Sequence, residues 1–442
     1  MENKMKNTNI DCIGAIPIEW DVKPLKYLVR QPITDGPHET PEFTESGVPF
    51  LSVDGIQKGK LIFENTRFVS EYDANRYDLK VKPEFNDILL GKAASIGKVA
   101  IVDRNDRFQI WSPLAVIKTN KLLNPLFLKY YLMSPTGQKM IEDYATENTQ
   151  KNIAMEDIER LKIVLPTYDE QVKIASLLDE KCTIIDEMIE DKTNQIQLLN
   201  DYKNSLVYNV VTKGLTETEL INSKYDFIPQ IPKGWKLKRF KYCLAKTKNN
   251  LRVGPFGSNL TSDDYTSEGY LVYNQRVVLD NEYFNNDVFV SQDKYNELID
   301  FSVYPGDILL TTRGTIGKIS EVPFNAPEGI LHPCIIKFKI NEDLINIRLL
   351  KILFNDSNFV MDQFMRMSNS TTIEVIYSYS LKEIILPCIP ADEQERITNY
   401  LEDKIKKINS IIEEQYIAID TLNEYKKSIL YEYVTGKKQV EV

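Results

Sequence analysis

Asp169-Glu170-Gln171 stands just after Pro166 and opens a stretch, Gln171 to Lys213, without a single Gly or Pro; Asp392-Glu393-Gln394 stands just after Pro390 and opens a second such stretch. A proline is tolerated in the first turn of a helix, where its missing N–H would have no intrahelical acceptor, and the acids that follow suit the positive end of the helix dipole. Gly214 and Gly436, with Lys213 and Lys437 beside them, supply the matching stops. Between start and stop, apolar residues recur at Ile174, Leu178, Ile185, Met188, Leu199, Tyr202 and Leu206, and again at Ile397, Leu401, Ile408, Ile411, Ala418, Leu422, Tyr425 and Ile429, with Ile405, Ile412 and Ile419 as a flanking row. Steps that alternate mainly four and three are the seam of a coiled coil. A helix of ~45 residues is about 68 Å long. The stripe outruns what one small domain could cover, and two equal helices in one chain are each other's natural partner. An intramolecular antiparallel pair is therefore expected, ahead of intermolecular pairing or packing on the helix's own domain. Polar residues along it (Lys181, Lys192, Gln195, Lys404, Gln415) would fix the register.

Outward from these helices the whole chain repeats. Ile16-Pro17-Ile18-Glu19-Trp20 returns as Ile231-Pro232-Lys233-Gly234-Trp235, Gly36-Pro37-His38 as Gly254-Pro255-Phe256, and Gly47-Val48-Pro49-Phe50 as Gly269-Tyr270-Leu271-Val272. Asp87-Ile88-Leu89-Leu90 with Ile96-Gly97-Lys98 returns as Asp307-Ile308-Leu309-Leu310 with Ile316-Gly317-Lys318. Two copies are too few and too long for a solenoid and point to a pseudo-two-fold, fused dimer. Each copy begins as mixed α/β: strand-like runs at 48–53, 87–90, 98–102, 114–118 and 161–165 with a helix over 126–144, then 270–273, 307–311, 317–321, 335–340 and 383–386 with a helix over 344–365. The expected divisions are 1–165 and 216–386 for the α/β domains, and 166–215 and 387–442 for the helices. Trp20 and Trp235 read as core residues.

Length and composition agree. At ~150 residues per domain, 442 residues suggest about three globular units. Hydrophobic residues at 43% provide for a substantial core, and no apolar run approaches the ~20 residues of a membrane helix. Five scattered cysteines and two histidines argue against a disulfide framework and a Cys/His zinc site. A soluble protein of a reducing compartment, the cytoplasm, is expected. The net charge of −10 argues against a nucleic-acid partner, but residues 1–150, 151–215, 216–370 and 371–442 carry −1, −4, −1 and −4. The acidity sits in the helical segments, and a nearly neutral α/β domain can still present a basic face.

The signals for catalysis are weak. Gly91 to Lys98 invites a P-loop reading, but the spacing to Gly97 is one residue too long and Val99 stands where Ser or Thr must hold magnesium; a hairpin turn is the better account. No GxGxxG occurs, nor any Asn-Pro-Pro-aromatic run. Three Glu-x-Lys triplets (Glu190–Lys192, Glu402–Lys404, Glu424–Lys426) lie on the long helices, where solvated charge faces explain them better than nuclease chemistry. A binding scaffold rather than an enzyme is expected. A coiled-coil adaptor and a nucleotide-binding loop are the rival readings.

A duplicated α/β domain, each copy followed by a long helix that starts Asp-Glu-Gln, resembles the DNA-specificity (S) subunit of type I restriction–modification systems. The resemblance covers about residues 13–436. It rests on the paired Ile-Pro…Trp starts, Asp35-Gly36-Pro37-His38, Gly306-Asp307-Ile308-Leu309-Leu310…Ile316-Gly317-Lys318, Asn148-Thr149-Gln150-Lys151-Asn152-Ile153, and the Leu165-Pro166…Glu170-Gln171 and Leu386-Pro387…Glu393-Gln394 helix starts. It implies two target-recognition domains, each reading one half of a bipartite, asymmetric double-stranded DNA site. It also implies two spacer helices that serve as a platform for two methyltransferase subunits, joined by restriction/translocase subunits, and no membrane partner. The chain itself would hold no cofactor and catalyse nothing. S-adenosylmethionine would belong to the methyltransferase, and ATP and Mg to the restriction partner.

Base reading in the major groove uses Arg on guanine and Asn or Gln on adenine, and loops of both copies are rich in such groups. The candidates are His38, Arg67, Arg76, Lys92, Lys98, Asn148, Gln150 and Lys151 in the first copy. In the second they are Ser258, Asn259, Asn274, Gln275, Arg276, Arg313, Lys318, Asn369 and Thr371. Lys98 and Lys318 could equally be phosphate contacts. Thr371-Thr372-Ile373-Glu374 stands where the first copy has Thr149-Gln150-Lys151-Asn152, and Phe256 where it has His38, so the two copies should read different sequences.

Overall fold

The computed structural model describes residues 4–147, 151–284, 288–368 and 373–440. The chain divides into two compact units, one of Met1–Lys192 with Tyr416–Val442, the other of Thr193–Gln415. Each unit therefore includes part of both long helices, the central one (Tyr168–Lys213) and the C-terminal one (Ala391–Val434).

In the first unit a four-stranded sheet runs in the order Val99–Ile101, Ile88–Gly91, Leu114–Ile117, Thr34–Asp35, all antiparallel. A second sheet runs Gln109–Ile110, Val48–Leu51, Arg67–Val69, Phe43–Thr44, its first pair parallel. The second unit repeats both orders. Ile319–Glu321, Ile308–Thr311, Ile335–Phe338 and Leu251–Val253 form one sheet; Gly329–Leu331, Tyr270–Tyr273, Phe289–Val290 and Tyr265–Thr266 form the other, with Ser302–Val303 added outside Gly329–Leu331. The strands Ile88–Gly91, Leu114–Ile117, Ile308–Thr311 and Ile335–Phe338 are short and buried on both faces, which explains why their sequence signal is continuous apolar runs rather than alternation.

Two expected single helices are each divided. Residues 126–144 form Pro125–Met133 and Pro135–Tyr144, because Ser134 ends the first and caps the second, its hydroxyl accepting from Gly137 N. Residues 344–365 form Ile347–Asn355 and Met361–Ser368. Gly91 to Lys98 links two antiparallel strands rather than a strand and a helix, so it is a hairpin and not a P-loop. Gly97 and Gly317 take φ of 81° and 78° in that turn, which is why Ile-Gly-Lys recurs.

The seam of the long helices is a strict heptad, on a different row from part of the expected one. In the central helix the inward positions are Gln171, Ala175, Leu178, Cys182, Ile185, Ile189, Lys192, Ile196, Leu199, Lys203, Leu206 and Val210; in the C-terminal helix they are Gln394, Thr398, Leu401, Ile405, Ile408, Ile412, Gln415, Ile419, Leu422, Lys426, Ile429 and Tyr433. Met188, Tyr202, Ile411 and Tyr425, expected on the seam, are exposed, and the isoleucines expected as a flanking row belong to it. In the first unit the start of the central helix runs antiparallel to the end of the C-terminal helix, and Lys426 Nζ lies 2.6 and 2.7 Å from the two carboxylate oxygens of Asp186. In the second unit Lys203 Nζ donates to Asn409 Oδ1 at 3.0 Å, the repeat-equivalent contact. Lys426 is thus a partly buried ion-pair member rather than a solvated charge, and Glu402 likewise is taken up by Arg348.

Each α/β domain is fixed to its following helix in the same way. Gln171 is fully buried; its Oε1 accepts from Asn124 N at 2.8 Å, and its Nε2 donates to Leu122 O and Pro166 O, both at 3.0 Å. Gln394 repeats this with Asn346 N at 2.6 Å, Ile389 O at 3.2 Å and Leu344 O at 3.4 Å. The buried Trp20 and Trp235 donate their indole N–H to Glu170 (3.3 Å) and Glu393 (2.8 Å). Gln171→Ala strands one amide N–H and two carbonyls in a dry environment, and should destabilise the protein by about 1–3 kcal/mol. Thermal or urea denaturation of the variant against the parent checks this, with Gln394→Ala expected to act alike.

Candidate nucleic-acid interface

In each unit three loops far apart in sequence meet beside the first sheet. In the first unit the Gly36-Pro37-His38 loop leaves strand Thr34–Asp35, Lys92 and Ala93 leave strand Ile88–Gly91, and Lys151–Asn152 joins them: Ala93 bridges Asn152, and Ile153 N donates to Lys92 O at 2.9 Å. In the second unit Gly254-Pro255-Phe256 leaves Leu251–Val253, Arg313 bridges Val375, and Ile376 N donates to Thr312 O at 2.9 Å. The recurring glycine has a steric cause. A Cβ on Gly36 would stand 2.2 Å from Ile110 O, and one on Gly254 would stand 2.1 Å from His332 O.

The chemistry mounted on these loops differs. In the first unit Asp35, 6% exposed, sits among Lys80 Nζ at 2.7 Å, Lys92 Nζ at 3.0 Å and His38 Nε2 at 3.0 Å. Burial pushes the Asp35 carboxyl up, but hydrogen bonds and charge from Lys80 and Lys92 outweigh it and hold the group below the usual carboxylate range. Lys92 is buried against this carboxylate, whereas His38 projects into solvent from its rim. Arg76 is engaged by Glu39, next to His38, and by Asp73 at 3.1 Å. Arg67 lies over the Phe43 ring at 4.7 Å, beside a separate hollow walled by Phe50 and Trp111. Lys98 Nζ donates to Val53 O at 3.4 Å, and the exposed Lys151 lies 3.7 Å from Glu142. Asn148 and Gln150 lie outside the described residues.

In the second unit Ser258 and Asn259 are exposed together on the loop after Phe256, their side chains 3.3 Å apart. Asn274 caps helix Gln275–Asp280 through Val277 N, and Gln275 Nε2 donates to Thr315 O at 3.2 Å, tying that helix to the Arg313–Lys318 turn. Arg276 lies 3.7 Å from Asp280. Lys318 turns inward: its Nζ donates to Asn355 O at 2.6 Å, and burial pushes its pKa down. Arg313 is exposed, with no ion-pair partner among the described residues. Asn369 and Thr371 lie outside the described residues. The loops thus bring His38, Lys92 and Lys151 to one place and Arg313, Ser258 and Asn259 to its counterpart, while Arg67 stands apart.

Sequence reasoning missed Asp35 and Lys80 as the centre of the first cluster, and Tyr377 and Tyr379 on the rim of the second. Tyr377-Ser378-Tyr379 carried a signal, two aromatic residues close together; Lys80 carried none, since it is one of many lysines in the chain.

The sequence signature of the family described as the type I restriction modification DNA specificity domain matches residues 17–198 and 256–421. The chain belongs to this family. Members of the specificity family similar to it include the putative type I restriction enzyme MjaX specificity subunit of Methanocaldococcus jannaschii, 25% identical over all of this chain and 98% of that protein. The MjaVIII specificity subunit of the same organism is 23% identical, over 96% of this chain and 94% of its own length. A chain solved in a study of complex assembly and conformational transition of the type I R-M system superposes with a TM-score of 0.68 at 15% identity, covering 96% of this chain and 99% of that one, and shares the fold. Among the described residues no helix is long and apolar enough to cross a membrane.

Because the Asp35 carboxyl is held below its unfolded value, its contribution to stability is fully present above about pH 4, near the ordinary carboxylate pKa, and is lost as pH falls through the lower folded value. Asp35→Asn should therefore flatten the acid limb of the stability–pH curve, leaving the difference from the parent largest near neutrality and smallest at about pH 2. Urea midpoints measured across that range check it.

Proposed function

We propose that this chain is the non-catalytic DNA reader of a type I restriction–modification complex, and that its two units read the two different halves of a bipartite, asymmetric duplex site. The observation that carries this reading is one frame built twice with different chemistry on the same loops: Asp35 with His38 and Lys92 in one unit, Phe256 with Arg313 in the other. A frame selected for one invariant ligand would keep its loop chemistry in both copies.

In this reading the base or phosphate contacts come from His38, Arg67, Arg76, Lys98, Asn148, Gln150 and Lys151 on one half-site. On the other they come from Ser258, Asn259, Asn274, Gln275, Arg276, Arg313, Asn369 and Thr371; Lys318, turned inward onto Asn355 O, is a structural contact instead. His38 and Arg313, exposed at the loop junctions, carry most of the weight as base readers; Lys92 acts by holding Asp35 and the loop around it. The helices act as spacer and platform. Their net −4 each would keep them from clamping DNA irrespective of sequence and favours protein partners. Those partners are two methyltransferase subunits, which bring S-adenosylmethionine, and restriction/translocase subunits, which bring ATP and Mg; the assembly works in the cytoplasm.

Exchange of residues 20–160 for those of another specificity subunit should change one half-site of the methylated sequence and leave the other intact. Mapping modified bases in DNA treated with the assembled complex reads the outcome directly. A single continuous site, or methylation without sequence preference, overturns the reading.

A further inference from the structure

We propose that the second unit reads its DNA by aromatic contact: Phe256, Tyr377 and Tyr379 form an apolar face against thymine methyl groups in the major groove, and Arg313 lies beside them on a guanine edge. This rests on the reading that the unit binds one half of a duplex site.

The three loops of the second unit enclose a cleft of about 680 Å³ whose mouth carries Phe256, Arg313, Tyr377, Tyr379 and Lys382. Phe256 is 83% exposed and Tyr379 67%. The Tyr377 and Tyr379 rings lie almost parallel, 11° apart with centroids at 5.4 Å. Exposed aromatic surface of this kind, gathered from two distant segments, marks a binding site rather than incidental exposure. The charge around it identifies the occupant. The chain has 64 acidic and 54 basic residues, yet among the described residues no acidic side chain lines this cleft, while Arg252, Arg313 and Lys382 do. Arg252 is neutralised by Asp300 at 3.3 Å and lies over the Phe301 ring; Arg313 and Lys382 have no ion-pair partner among the described residues. An apolar floor rimmed by uncompensated cations matches a polyanion that presents methyl groups. Duplex DNA does so in the major groove, where thymine C5-methyls are met by apolar side chains and guanine O6 and N7 by Arg. In the first unit the described residues of the same loops hold the Asp35 cluster instead of aromatic rings.

Replacement of thymine by deoxyuridine removes the methyl and nothing else. With the full chain assembled with its methyltransferase subunits, the half-site of the second unit is the one left unchanged by exchange of residues 20–160. Deoxyuridine there should weaken binding of the parent about fourfold for each methyl contacted, the value of one buried carbon. Deoxyuridine in the other half-site should cost much less. Phe256→Ala and Tyr379→Ala, both at exposed positions and so expected to keep the parent's melting temperature, should bind thymine and deoxyuridine sites alike, whereas Tyr379→Phe should keep the discrimination. A second half-site without thymine, or equal discrimination in parent and alanine variants, overturns the aromatic reading while leaving two-unit recognition standing. Loss of all sequence preference in the parent overturns both.

Discussion

The side-chain amide at the start of each long helix governs the architecture. Gln171 and Gln394 are buried where water cannot satisfy them, so each of their hydrogen bonds must come from the protein. They obtain these from the residue that caps a short helix of the α/β domain (Asn124, Asn346) and from carbonyls on either side of the chain reversal. A planar amide with three partners admits one orientation. The direction in which the helix leaves its domain is thereby fixed by geometry rather than by apolar contact alone, and the neighbouring Glu170 and Glu393 extend the lock to Trp20 and Trp235. Asp-Glu-Gln recurs in the sequence because two of its three side chains are structural fastenings.

On that fixed frame the duplicated parts diverge by function. Strand orders, the glycine that passes a carbonyl too closely for a Cβ, the left-handed glycine of the hairpin turn and the lysine on the helix seam are the same in both units. What changes is what the loops carry: a buried carboxylate with two ammonium groups and an imidazole in one unit, aromatic rings with a free guanidinium in the other. The seam shows the same pattern on a smaller scale. Lys426 meets a carboxylate and Lys203, at the equivalent place, meets an amide.

The duplication, the main strand-like runs within each copy and the existence of the paired helices were legible because they rest on long patterns: recurring motifs, absence of helix breakers, apolar periodicity. The row of the helix that faces inward was partly misread, for a physical reason. Met188, Tyr202, Ile411 and Tyr425 are apolar but exposed, while Lys203 and Lys426 are polar but inward, so hydrophobicity pointed to the wrong row at those turns. The break at Ser134 was missed because proline suits a helix start as well as it disrupts a helix interior. Within the interface, the meeting of the loops followed from the repeat. The Asp35–Lys80 contact did not, because it joins residues distant in sequence.

The membership of the two units bears on the order of events at the ribosome. Domains ordinarily fold in the order in which they are synthesised. Here the core around Ile13, Ile16 and Trp20 includes Ile429, Leu430, Tyr433 and Val434, and Lys437 Nζ donates to Ile13 O at 2.9 Å. The unit made first therefore lacks part of its interior until Val434 has been synthesised, whereas the unit made second has all its residues once Gln415 emerges. At about 5–20 residues per second the wait lasts on the order of tens of seconds. Throughout that interval the nascent amino-terminal domain presents an unfilled apolar groove, and so a natural substrate for chaperones.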